Sequence, residues 1–306
     1  MKKRICLVIF TSIIFFTTSY AVLNTKIYGA VEPQRIPVLL YHHILSDEEN
    51  KLFRDNAVVL ALDKFELQMK YLYDNGYRTL TDKELIGFLY DGLEVPRKSV
   101  AIHFDDGYYS GITRACDVLK EYGFNATVFL ITSFSEGPQK RFEPDGLQYI
   151  SVETLDSARG VFSFQSHTHD MHDSAGGKTK FVTAPPDEIL ADLQRSFAIT
   201  GACEAFAYPL GQHASESAGI LKVAGVKIAF TTKYGYVSAG DDPYLLNRRT
   251  IYRDTTMEDF IYYLNAAEAP ARPRPNKKQV KLEPQTSDSN KPLISPFRFV
   301  SQTIVN

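Results

Sequence analysis

The chain has 306 residues, with 34 basic against 36 acidic side chains and a formal net charge of −2. That length suits one large domain or two small ones, and the body of the chain has no strongly basic block, which argues against a nucleic-acid partner. Its three cysteines, Cys6, Cys116 and Cys203, show no CxxC or Cys/His metal spacing.

The opening stretch, "MKKRICLVIFTSIIFFTTSYAVLNT", has a basic start at Lys2, Lys3 and Arg4 and an apolar run from Ile5 to Phe16. The run is short for a membrane span, and Ser19-Tyr20-Ala21 offers small residues for cleavage. Residues 1–30 therefore read as a secretory signal peptide or an uncleaved N-terminal anchor. Either reading puts the folded part outside the cytoplasm, secreted or at the cell surface. No small-residue-then-Cys pattern follows the run, so lipidation is not expected. Export leaves two states open for Cys116 and Cys203, a disulfide or two buried free thiols.

Residues 31–267 alternate between strand and helix. Ile36–His42 reads as a buried strand, and 63–77 as a helix with Phe65, Met69, Leu72 and Tyr73 on one face and Gly76 as its stop. A strand over 98–106 leads to a helix over 111–123 that ends in Gly123. "ATVFLI" (126–131) is an unbroken apolar strand, as a parallel sheet covered on both faces requires. A helix near 151–159, a strand over 161–167 and a helix over 185–200, with Pro at its start, continue the pattern. A strand over 205–209, a helix over 215–225, a strand over 227–232, the segment 247–252 and a helix over 256–267 complete it. This alternation predicts one α/β domain, most simply a parallel barrel or a distorted one. Beyond Ala267, residues 268–306 are Pro-rich, polar and aperiodic, which predicts a flexible tail.

Three polar clusters fall at the C-terminal ends of predicted strands, where α/β barrels build their sites. They are Tyr41-His42-His43, Asp105-Asp106, and His167 with His169 and His172. Two imidazoles and one carboxylate with open positions for water suit a hydrolytic divalent-metal site. One aspartate can then bind the ion while the other takes a proton from water, and the cation favours the ionised form of both. His167 and His172 are five apart, about 140° on a helix, so they must converge from a strand end and its loop. His169 with His172 is the competing pair. His103, inside the strand, reads as a packed core residue.

"HFDDGY" (103–108), "SHTHDMH" (166–172) and "FAYPLG" (206–211) resemble the first three motifs of the polysaccharide deacetylases with the NodB-homology domain, carbohydrate esterase family 4. The resemblance spans roughly residues 36–266. It implies a deformed (β/α) barrel, a single domain, that removes N-acetyl groups from amino-sugar polymers with Zn²⁺ or, alternatively, Co²⁺ or Ni²⁺. By the same resemblance Asp105 is the general base, and Asp106, His167 and His172 hold the metal. Three positions depart from the family pattern. Ala207 stands where an Arg is usual, Leu210 where a Tyr is usual, and no His follows His213 to supply the general acid. Exported deacetylases of poly-N-acetylglucosamine look circularly permuted and place that histidine on the first strand. His42 is then the candidate acid, with His43 the alternative, and Arg248 the group that orients Asp105. The backbone N–H of Leu210 is the candidate oxyanion donor, and Tyr108 either lines a sugar groove or packs on the sheet. The expected partner is an acetylated amino-sugar polysaccharide such as poly-N-acetylglucosamine, and the protein is expected to be a monomer. Peptidoglycan, chitin oligomers and O-acetylated xylan are the alternative substrates, and a non-catalytic glycan-binding relative is the rival of another class.

Overall fold

The computed structural model describes residues 34–201 and 203–265, together with the backbone of 280–284 and 297–301. The signal-peptide or anchor segment, 1–30, lies outside the described residues. Seven parallel strands form the centre: β1 (Val38–Tyr41), β2 (Ser99–Phe104), β3 (Ala126–Leu130), β4 (Phe162–Ser166), β5 (Ala205–Ala207), β6 (Ile228–Tyr234) and β7 (Leu246–Thr250). Their spatial order is β1-β7-β6-β5-β4-β3-β2, and β2 returns to β1 in the register Val38↔Ala101 to Tyr41↔Phe104. The sheet thus closes on itself with seven strands rather than eight. This is the deformed barrel that the motifs imply.

Period-two alternation decides what each strand contributes. Leu39 and Tyr41 of β1, with Val100, Ile102 and Phe104 of β2, point outward into an apolar layer. Helices α1 (Leu62–Asp74) and α3 (Tyr109–Tyr122) cover it, burying Phe65, Met69 and Leu72 from one and Ile112, Ala115 and Leu119 from the other. Burying each of the larger of these side chains stabilises the fold by roughly 1.5–3 kcal/mol. Helix α3 stops at Gly123, whose left-handed φ of 67° suits the residue without a side chain. The opposite positions, including Val38, Ala101, Phe129, Phe230 and Leu246, fill the lumen.

Residues 78–97, to which the periodicity assigns no element, hold a short strand and a helix. Arg78–Thr79 pairs with the start of β2, and helix α2 (Asp82–Tyr90) follows. Thr81 and Glu84 form a capping box at its N-terminus. Leu80, Leu85, Ile86 and Phe88 pack with the lumen residues, so α2 plugs the N-terminal end of the barrel. His103 lies in this plug, edge-on to Phe129 and Phe230, with Nε2 3.1 Å from Asp82 Oδ1. It is the packed core histidine that its mid-strand position suggests.

Helices α4 (Pro186–Thr200), α5 (Ser217–Val223) and α6 (Met257–Leu264) complete the outer layer. The helix expected near 151–159 is a single turn, Leu155–Ala158, entered through a 3₁₀ turn at Val152–Thr154. Cys116 and Cys203 are free thiols, so of their two alternatives the disulfide is not formed. Within the stretch read as a flexible tail, Val280–Pro284 pairs antiparallel with Phe297–Ser301. The rest of 268–306 lies outside the described residues.

Candidate metal centre and active site

Asp105 and Asp106 follow β2 directly. The Asp105 N–H still bonds the Tyr41 carbonyl at 3.0 Å, continuing the ladder to β1. Asp106 then turns left-handed with φ 70°, and Gly107 follows with φ 81°. A Cβ on Gly107 would lie 2.5 Å from Leu130 Cδ2, so the turn needs glycine for both space and conformation. Among the described residues the non-glycine left-handed positions are Asp106, Thr168 and Leu210. Each follows a barrel strand (β2, β4, β5), and each costs roughly 1–2 kcal/mol that the surrounding structure must offset.

Asp106, His167 and His172 bring their ligand atoms within 4.8 Å of one another. His167 Nε2 and His172 Nε2 stand 3.5 and 3.4 Å from Asp106 Oδ1. These gaps exceed a hydrogen bond and match the edge, about 3.4 Å, of a tetrahedron whose ligands lie about 2.1 Å from zinc. The tautomer also fits. His167 Nδ1 is 2.6 Å from the Ala207 carbonyl oxygen, a partner that can only accept, so Nδ1 carries the hydrogen and Nε2 keeps its lone pair. Burial pushes both imidazoles down to about 4, so they are neutral near pH 7. Burial pushes the Asp106 carboxyl the other way, up, against the attraction of His42 and His167. A divalent cation would reverse that penalty. The donor set, its spacing and its tautomer therefore fit a metal ion. His169 is not in this group: its Nδ1 faces Thr132 Oγ1 at 3.1 Å.

Asp105 points to a different partner. Arg248 donates Nη1–H to Oδ1 at 2.8 Å and Nη2–H to Oδ2 at 2.6 Å, with both side chains buried. Its Nε–H donates to the Thr231 carbonyl at 2.9 Å. Thr231 lies where the β6–β7 register slips between Phe230 and Tyr234, and this irregularity leaves its carbonyl available. Burial pushes the Asp105 carboxyl up, but the Arg248 charge and hydrogen bonds outweigh it and hold it well below the usual carboxylate range. The position vacated by Arg at Ala207 is thus matched by an arginine from β7.

The alternation of β1 carries His42 to the same face as Val38 and Leu40, toward the lumen. It interacts electrostatically with Asp105, Asp106 and His172, and its buried Nδ1 has no hydrogen-bond partner among the described residues. His43 points away. Its Nδ1 meets Ser110 Oγ, its ring stacks on Tyr108 at 3.9 Å, and burial pushes it down to about 3. Tyr108 is itself buried between His43 and Tyr149, so its ring serves packing rather than an open groove. Leu210 sits half-buried in the turn after β5.

One residue that periodicity and motif both miss is Asp192 on α4. Its carboxylate accepts the N–H groups of His169 and Asp170, both at 2.7 Å. Ser196, one turn on, pairs with Ser166 Oγ at 2.7 Å, and Ser166 accepts the Thr168 N–H at 3.1 Å. Helix α4 thereby pins the loop between His167 and His172. Only an acidic side chain in an otherwise ordinary helix marks Asp192 in the sequence.

The polysaccharide deacetylase family model matches residues 92–229. The chain is 31% identical over 219 residues to YxkH of Bacillus subtilis (strain 168), which is named for the polysaccharide deacetylases, and the match covers 71% of each chain. It is 31% identical over 203 residues to the poly-beta-1,6-N-acetyl-D-glucosamine N-deacetylase of Staphylococcus aureus (strain MRSA252), covering 64% of this chain and 68% of that one. Among solved structures it is similar to the Streptococcus pyogenes deacetylase PplD in complex with acetate, with TM-score 0.65 and 26% identity over 76% of this chain and 99% of that chain. The chain belongs to the polysaccharide deacetylase family and is a hydrolase.

Proposed function

We propose that this protein is an exported, divalent-metal-dependent N-deacetylase of amino-sugar polymers of the poly-N-acetylglucosamine type, with zinc as its metal. The observation that carries the reading is the Asp106–His167–His172 triangle set beside a second, separately held aspartate. The Staphylococcus aureus relative supports the glycan, and the basic-then-apolar start of the chain supports export. Action on the glycan as a monomer completes the reading.

Asp106, His167 and His172 would hold the ion. When bound it supplies Lewis-acid polarisation of the acetamide carbonyl and lowers the pKa of water. Asp105, kept ionised by Arg248, accepts the proton of the water that attacks the carbonyl carbon. The Leu210 N–H is assigned to the oxygen that gains negative charge. His42, as the acid, gives its proton to the nitrogen as the C–N bond breaks. Water and an N-acetyl group thus become acetate and a free amine. His43, neutral and hydrogen-bonded elsewhere, is unsuited to that role.

Acetate release from a panel of acetylated glycans, with and without chelator, tests the reading. Release from poly-N-acetylglucosamine that stops with chelator is expected. Release from O-acetyl esters alone would refute N-deacetylation, and metal binding with no release from any glycan would favour the glycan-binding relative.

A further inference from the structure

The segment between β3 and the Val152–Thr154 turn is tied to both halves of the centre. At its start, Thr132 and Ser133 donate their N–H groups to the Thr168 and His169 carbonyls, both at 3.1 Å. At its end, the Ile150 N–H bonds the Gly107 carbonyl at 3.0 Å, the Tyr109 N–H bonds the Gln148 carbonyl at 2.8 Å, and Tyr108 bridges to Tyr149. Phe134 lies in the 3₁₀ turn Thr132–Ser135, beside the histidine loop, and is 39% exposed.

Its ring is not loose. It packs on Tyr149 with centroids 4.5 Å apart, Tyr149 stacks on Tyr108 at 4.9 Å, and Tyr108 stacks on His43 at 3.9 Å. Four rings therefore run from the buried His43 outward through the half-buried Tyr149, with Phe134 at the exposed end. An exposed aromatic face costs free energy that a site-bordering position can recover by binding. Held in this stack it loses little side-chain entropy when covered.

We infer that Phe134 is a stacking platform for a pyranose ring of the polymer next to the residue being deacetylated, and so sets a preference for chain over monosaccharide. The apolar C–H face of a β-linked pyranose is flat and matches an aromatic ring, while its hydroxyls stay in water. This inference rests on the proposed glycan substrate and adds where the chain beyond the reacting sugar is held.

The test compares the parent with Phe134→Ala and Phe134→Tyr, using a β-1,6-linked N-acetylglucosamine pentamer and the monosaccharide. Binding is measured by calorimetry in an Asp105→Asn background, so turnover is not needed. Phe134→Ala should weaken pentamer binding about tenfold, as loss of one aromatic contact does, and leave monosaccharide binding unchanged. Phe134→Tyr should restore it. In the active protein the Phe134→Ala effect should fall on KM rather than kcat, with zinc stoichiometry equal to the parent. Unchanged pentamer binding in Phe134→Ala, or equal losses for pentamer and monosaccharide, would overturn the platform. Failure of the parent itself to bind the pentamer would also overturn it, while acetate release across the glycan panel tests the proposed function separately.

Discussion

Asp105 and Asp106 are chemically identical neighbours with different environments. The left-handed turn at Asp106 sends one carboxylate toward two imidazoles while the other meets a guanidinium. Asp105→Asn should retain metal and lose turnover by at least about 10²-fold, the range removed with a general base. Arg248 has the larger structural stake. Arg248→Met leaves a buried carboxylate alone, so unfolding should become easier by about 3–5 kcal/mol in denaturant titrations. Arg248→Lys should recover only part of that, because an ammonium cannot make the two-pronged contact. At this scale much was legible. The aspartate pair, His167, His172 and the placing of His42 on the first strand follow from strand ends and from the motifs. The sequence offers His42 as the candidate acid and His43 as the alternative, but the burial and stacking of His43 are not legible there, because they come from Ser110 and Tyr108 on α3 and its approach.

Elements hold these residues through contacts that no local pattern announces. Asp192 sits on α4 and acts on backbone N–H groups more than twenty positions earlier, a relation visible only once the helix is docked. Asp192→Ala should weaken metal affinity about 10- to 100-fold, the usual effect of losing an outer support of a metal ligand. Competition with a colorimetric chelator would measure it, and far-UV circular dichroism should show the barrel intact. Helix α2 escaped the periodicity because it has only nine residues and its apolar ones are bunched at its C-terminal end, although the Thr81–Glu84 capping box was there to be read. Thr81→Ala should cost about 1 kcal/mol of stability, the typical worth of an N-cap. The strands were easier to place, since β2 and β3 are buried along their whole length and carry few polar residues.

For the whole molecule, the barrel gathers neutral histidines at one end, and this sets its response to acid. Burial holds His43 at about 3 and His167 and His172 at about 4, below the ordinary histidine value of 6.5. Between those values the unfolded chain binds more protons than the folded one, so stability falls as pH falls. The metal-free protein should therefore show a Tm that is flat above about pH 6.5 and declines from there toward about pH 4. Added metal should oppose the decline at its upper end, because it binds the same deprotonated imidazoles. The strands of the closed sheet were legible, since six strands and the segment 247–252 fall where the seven barrel strands lie, but their closure was not, because the pairing of β2 with β1 is long-range.

If the two adjacent aspartates do different work around one metal ion, zinc stoichiometry in paired variants will separate them. Purified parent, Asp105→Asn and Asp106→Asn proteins would be loaded with zinc, desalted and analysed for bound metal alongside acetate release from poly-N-acetylglucosamine. One zinc per chain is expected in the parent and in Asp105→Asn, little in Asp106→Asn, and acetate release from the parent alone. Equal zinc in all three proteins, or loss of zinc in Asp105→Asn with retention in Asp106→Asn, would contradict that division of work.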